Sequence, residues 1–128
     1  MVVFACDFFK MKAELLPELC DAVYDRGAFE AIFESDRKAY IQSMLSFMGP
    51  DFRYIVNCFE YDEKEAFKGP PRACPRAQLC QLWDGHNLRA SNLKTKAEIL
   101  SIDDYTEYGK KFNLEGSMTK IVYGIKPQ

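Results

Sequence analysis

No apolar run in this chain is longer than a few residues, although 48% of its residues are hydrophobic. A bilayer span needs roughly 20 apolar residues in succession, so the core has to be assembled from short pieces. Val2–Val3–Phe4–Ala5–Cys6 reads as a short strand that ends at Asp7. Ala22–Val23–Tyr24 reads as a second, ending in Asp25–Arg26–Gly27. Runs without polar alternation suit strands covered on both faces, as in parallel sheets. Between Ser35 or Asp36 and Met48 the pattern changes to that of a helix, with Tyr40, Ile41, Met44, Leu45 and Met48 on one face. Gly49–Pro50 is expected to end that helix.

Phe52 to Tyr61 is the longest strand candidate, and Asp62 to Arg72, turning at Gly69–Pro70–Pro71, is expected as a loop over its carboxyl end. Pro75 suits the start of a helix that runs through Leu79 and Trp83 and stops at Gly85. Leu88 to Leu100 and Ser117 to Lys126 are expected as strands, with an ambiguous polar stretch, Tyr105 to Leu114, between them. Strand, strand, helix, strand, helix, strand, strand is an α/β order. It implies βαβ crossovers and a parallel sheet at the start, closed by an antiparallel pair at one edge.

Lys and Arg number 17 against 19 Asp and Glu, a formal net charge of −2. This near-balance argues against a nucleic-acid or anionic-membrane surface. Charged residues within the first dozen positions leave no room for a secretory leader, so a cytoplasmic location is expected. The five cysteines are an odd set without a C-x-x-C pair, and His86 is the only histidine. A disulfide framework and a zinc site are therefore both disfavoured, and the cysteines read as small buried hydrophobes in a reducing compartment.

Open α/β sheets bind ligands beyond the carboxyl ends of their parallel strands. Three strand ends here carry polar or aromatic residues: Asp7–Phe8, Asp25–Arg26–Gly27 and Glu60–Tyr61–Asp62. An aromatic ring beside a carboxylate can hold a heterocycle by stacking and hydrogen bonding. The Arg26 guanidinium is a planar fork of donors suited to an anion. The plainer reading is an ion pair of Arg26 with Asp25 or Asp7 and a core position for Phe8. No serine stands in a nucleophile elbow, no phosphate-binding glycine loop occurs, and His86 sits in a polar turn.

V-F-A-C-D-F-F, C-D-A-V-Y-D-R-G-A-F, D-R-K-A-Y-I-Q-S-M-L-S-F, F-R-Y-I-V-N-C-F-E-Y-D and G-P-P-R-A-C-P occur in this order. In composition and separation they resemble the thiopurine S-methyltransferases. The most specific pieces are Tyr24–Asp25–Arg26–Gly27–Ala28, Asp36–Arg37 with Tyr40, and Tyr61–Asp62 followed by Gly69–Pro70–Pro71 and Pro75. The resemblance is closest from Phe4 to Pro75 and loosens after Trp83.

The resemblance implies a Rossmann-like class I methyltransferase fold with S-adenosyl-L-methionine as cofactor. It implies that residues 1–128 are the C-terminal portion of a single such domain, lacking the first two strands and the glycine-rich cofactor loop. By motif position Asp7, Phe8 and Arg26 fall where the family contacts the cofactor, and Arg26 also lies beside the acceptor. A second family arginine near the acceptor is replaced here by Tyr108. The implied activity is methylation of a small-molecule thiol or thiopurine sulfur, by a monomer when full length, with impaired or no activity in this portion alone. Two alternatives stand beside it: a non-catalytic partial domain that binds a partner, and a methyltransferase for inorganic thiols or halides. The family strand order, 3-2-1-4-5-7-6, would leave Val2–Cys6 without its neighbours. It is expected to pair with Ala22–Tyr24, to stay detached or to rely on another chain.

Overall fold

The computed structural model describes residues 3–62, 69–87 and 93–128. Strand β1 (Cys20–Asp25) leads through the single turn α1 (Ala28–Ala31) into helix α2 (Arg37–Phe47), which runs directly into β2 (Met48–Glu60). Helix α3 (Arg76–Trp83), strand β3 (Thr95–Asp104), the short helix α4 (Thr106–Gly109) and strand β4 (Thr119–Pro127) follow. The sheet order is β1-β2-β4-β3, with β1 and β2 parallel and the other two pairs antiparallel. This is the order 4-5-7-6 expected for the last four strands of the fold.

One face of the sheet makes the main core. Phe52, Tyr54, Val56 and Cys58 alternate along β2 and are fully buried. Their partners on β4 present Ile121, Tyr123 and Ile125 to the same side. Against this face pack Tyr40, Ile41, Met44 and Phe47 of α2 and Leu79 and Trp83 of α3. The opposite face holds Tyr24 and its cross-strand partner Ile55, both exposed, while Leu100 lies over Gly124. A smaller cluster of Phe59, Tyr61, Ala73, Leu114 and Met118 closes the carboxyl end of β2.

Several boundaries differ from expectation. Residues 3–6 form no strand, and Val3 is 75% exposed. Met1 and Val2 lie outside the described residues. With no adjacent strand, the amides of an apolar segment are best left to water. Pairing with Ala22–Tyr24 does not occur. Helix α2 stops at Phe47, and Met48–Gly49–Pro50 opens β2 instead of ending the helix. Pro50 is tolerated because it sits in the bulge between the pairs Cys20↔Met48 and Ala22↔Arg53, where no ladder N–H is required. Strand β3 extends to Asp104, and residues 88–92 of the expected strand lie outside the described part. The polar stretch after Tyr105 resolves into α4 and a 3-10 turn, Lys110–Phe112. Helix α3 ends as expected, with Gly85 in the left-handed region (φ +81°) just past its last turn.

Of the cysteines, Cys58 and Cys74 are buried, Cys20 and Cys80 are partly so, and Cys6 is exposed, against its reading as a core residue. Cys6 lies in the unpaired segment, which has no core to enter. Among the described residues no His, Cys, Asp or Glu cluster could hold a metal, and no helix is long and apolar enough to cross a membrane.

Candidate functional site

The turn after β1 is built on one carboxylate. Asp25 is buried, and its oxygens accept from the backbone N–H groups of Gly27 (3.2 Å), Ala28 (2.7 Å) and Phe29 (3.1 Å). The phenols of Tyr40 (2.6 Å) and Tyr54 (2.7 Å) also donate to it. This network fixes the chain reversal at the strand end and leaves the Arg26 side chain pointing away from the core, exposed. The Asn57 side-chain amide donates to the Arg26 carbonyl at 3.4 Å. The ion pairs considered for Arg26 do not form among the described residues. Asp25 is occupied, and Asp7 pairs with Lys10 at 3.4 Å.

Arg26 opens onto a cleft of about 310 Å³ at the carboxyl end of the parallel strands. Phe59, Tyr105 and Tyr108 supply aromatic walls, with the rings of Phe59 and Tyr108 6.5 Å apart and inclined by only 21°. Arg26 and Lys120 supply positive charge, Glu30 a carboxyl group, and Asn57 and Pro71 complete the lining. The Lys120 ammonium lies 5.3 Å from the Tyr105 ring centre, within cation–π range. Burial pushes the Glu30 carboxyl up to about 7; the charge of Asp25 adds to this, while Lys120 and Arg26 oppose it. A larger hollow of about 450 Å³ between Lys38 and Gln81 is lined by polar side chains and Leu82, with no aromatic wall.

The structure thus brings two of the expected site residues, Arg26 and Tyr108, into one cleft. It does not bring Asp7 and Phe8 there. Asp7 accepts from the Phe9 amide at 3.0 Å and caps a 3-10 turn. Phe8 packs on α2, 4.9 Å from the ring of Tyr40 and 5.7 Å from that of Phe47. Glu30, Asn57, Phe59, Tyr105 and Lys120 escaped the sequence reading. Glu30 had one usable signal, its place four residues after Arg26 in a segment that leaves a strand end.

The residues present do not by themselves fit S-adenosyl-L-methionine. Binding its ribose hydroxyls calls for a carboxylate with free acceptors at a strand end, and both oxygens of Asp25 are filled by five donors. Asp7 is engaged with Phe9 and Lys10, and the sequence holds no glycine-rich loop.

Solved structures with the same fold include the 1,6-didemethyltoxoflavin-N1-methyltransferase of Burkholderia thailandensis, with bound 1,6-didemethyltoxoflavin and S-adenosylhomocysteine. The TM-score is 0.55 at 15% identity, over 98% of this chain and 50% of that one. The cyclase SpnF gives 0.52 at 15% identity, over 91% and 53%. One fold carrying a methyltransferase and a cyclase leaves the reaction to be argued from the site. In sequence, a probable thiopurine S-methyltransferase of Danio rerio is 27% identical over 94% of this chain and 48% of its own length. The thiopurine S-methyltransferase of Bos taurus is 38% identical over 54% of this chain and 27% of its own length. That of Nitrosospira multiformis is 35% identical over 60% and 34%. The chain thus spans about half, or less, of the curated relatives it matches. The family model for thiopurine S-methyltransferase matches residues 1–111, and with most of the chain inside that match it belongs to the thiopurine S-methyltransferase family.

Proposed function

We propose that this chain forms the acceptor-binding half of an S-adenosyl-L-methionine-dependent methyltransferase whose substrate is a small-molecule thiol or thiopurine sulfur. The observation that carries this reading is the convergence of Arg26 and Tyr108 on one aromatic-walled, positively charged cleft. Flat rings are held by stacking against Phe59 and Tyr108, and a thiolate or an acidic heterocycle is attracted by Arg26 and Lys120. The methyl donor, bound by residues outside this chain, supplies an electrophilic carbon. The residues here position the sulfur and shield it from water. Tyr108 stands where the family has an arginine, which lowers the positive charge and favours a ring over a bare inorganic anion.

Turnover in a chain extended upstream to the length of its relatives tests the reading. The extended protein should methylate phenylmethanethiol or 6-thiopurine from S-adenosyl-L-methionine, and the 128-residue chain alone should not. Failure of the extended protein on every thiol and thiopurine removes the proposed activity. Within it, Arg26→Lys should lower kcat/KM by roughly tenfold or more, because lysine keeps the charge and loses the fork. An unchanged rate takes Arg26 out of the site.

The second reading, a partial domain that binds a partner without catalysis, is favoured by one observation: β1 is paired on one side only. Calorimetric titration of the 128-residue chain with S-adenosylhomocysteine separates the two when set beside the turnover assay. Micromolar binding would show that this chain holds a donor site by itself.

A further inference from the structure

We propose that Glu30 is the proton acceptor of the cleft: a small-molecule thiol bound there passes its S–H proton to the Glu30 carboxylate and is held as the thiolate by Arg26 and Lys120. The inference rests on the acceptor reading above and names the ionisation state in which that acceptor is held.

The first support is an orphaned atom. Glu30 Oε2 is buried and has no hydrogen-bond partner among the described residues. The other oxygen, Oε1, turns back towards Gly27, where an added Cβ would lie 3.4 Å from it. A carboxylate oxygen buried without a donor disfavours the ionised form, so this carboxyl takes up a proton more readily than an exposed one. The second support is its surroundings. Arg26 follows β1, Lys120 comes from β4, and both line the same cleft as Glu30. Asp25 at the end of β1 adds negative charge from behind, Tyr105 and Tyr108 wall the cleft near α4, and the Arg72 amide donates to the Glu30 carbonyl at 2.8 Å. Asp25 cannot take the role itself, since its oxygens already receive five donors.

The chemistry is balanced and needs no further reagent. The S–H bond breaks, an O–H bond forms on the Glu30 carboxyl, and the electron pair stays on sulfur. Negative charge moves from the carboxylate to the sulfur, where the two cations neutralise it. The carboxyl, raised to about 7 with Lys120 and Arg26 already acting on it, lies roughly 1.5 pKa units below an ordinary thiol near 8.5, a gap that the same cations narrow by stabilising the thiolate. A carboxylate at its usual value would be too weak a base. This defines the ligand class: thiols that are un-ionised in water at neutral pH. An acceptor that arrives already ionised meets the Glu30 carboxylate as a like charge above about pH 7.

Proton counting by calorimetry tests the proposal without any methyl donor. The 128-residue chain is titrated with phenylmethanethiol at about pH 8, where the thiol is mostly protonated and Glu30 mostly ionised. Two buffers of different ionisation enthalpy report the protons exchanged with solvent. The unmodified protein should release close to none, since the proton moves from sulfur to Glu30. Glu30→Gln should either release about one proton per thiol bound or bind the thiol without thiolate absorption. Release of about one proton by the unmodified protein overturns the proposal, whether or not the variant folds. Binding to the unmodified protein must also bring the ultraviolet absorption of a thiolate, and zero release without it overturns the proposal, because the thiol is then bound un-ionised. Absence of binding by both proteins removes the acceptor reading, and the role of Glu30 falls with it. Proton counts that contradict the pattern while binding persists remove Glu30 alone.

Discussion

Asp25→Ala should destabilise the fold by roughly 3–5 kcal/mol, a large fraction of the 5–15 kcal/mol typical of a domain. The aspartate is the common acceptor of three backbone N–H groups and two phenols. Alanine leaves all of them to find water. The amides of Gly27 and Ala28, which are part-buried, can do so in part. The Phe29 amide and the phenols of Tyr40 and Tyr54 are in buried contacts, and each stranded donor costs about 1–3 kcal/mol. Asp25→Asn should cost less, because the amide oxygen still accepts and the phenols can rotate to receive the new N–H groups. Urea unfolding followed by the emission of Trp83, the only tryptophan, measures both variants. A shift below about 0.5 kcal/mol for Asp25→Ala would show that water replaces the carboxylate and that the turn does not depend on it.

Trp83→Ala should be of similar size, about 3–5 kcal/mol, through a cavity and not through lost hydrogen bonds. Trp83 has no exposed surface and lies 4.8 Å from the ring of Tyr54 and 6.5 Å from that of Phe29. It therefore touches two residues tied to Asp25. Its indole N–H is buried without a partner among the described residues, so Trp83→Phe removes an unsatisfied donor along with some volume. That variant should lose less than half as much as alanine does. Far-UV circular dichroism in urea measures both, since the fluorophore is gone. Equal losses for phenylalanine and alanine would mean that the indole N–H contributes more than the ring's bulk.

The sheet was legible because its inner strands are rich in β-branched and aromatic residues, and because Asp25–Arg26–Gly27 marks a strand end in any α/β chain. Arg26 could be nominated on that ground alone. Lys120 could not: it enters the cleft because β4 pairs with β2 in the register Phe59↔Lys120, a long-range fact that no local pattern carries. Glu30 likewise acquires its character from burial and from Asp25, not from its neighbours in sequence. The segment at residues 3–6 was misread because an apolar run signals a strand only where another strand can pair with it. The motif residues beyond Arg26 prove to hold the scaffold. Tyr40 donates to Asp25, and Arg37, itself buried, donates to the Ala73 carbonyl at 2.8 Å and to Gln78 at 2.9 Å. Those contacts tie α2 to the segment just after Gly69–Pro70–Pro71, so a family pattern that looks like a binding signature is mostly architecture.

Strand β4 comes after both β2 and β3 along the chain and yet lies between them in the sheet. During synthesis, then, the inner edge of β2 waits some 60 to 70 residues for its partner, and β3 emerges with nothing to pair against. The chain must carry β2 unpaired on that edge until β4 has been made. Closure of the sheet needs β4, the last strand made, to pair with both β2 and β3. Such distant pairings make folding slow relative to a helical domain of the same size, and the interval before closure is when association with other nascent chains competes. Yield on expression should accordingly depend on temperature and synthesis rate more steeply than the stability of the finished fold does.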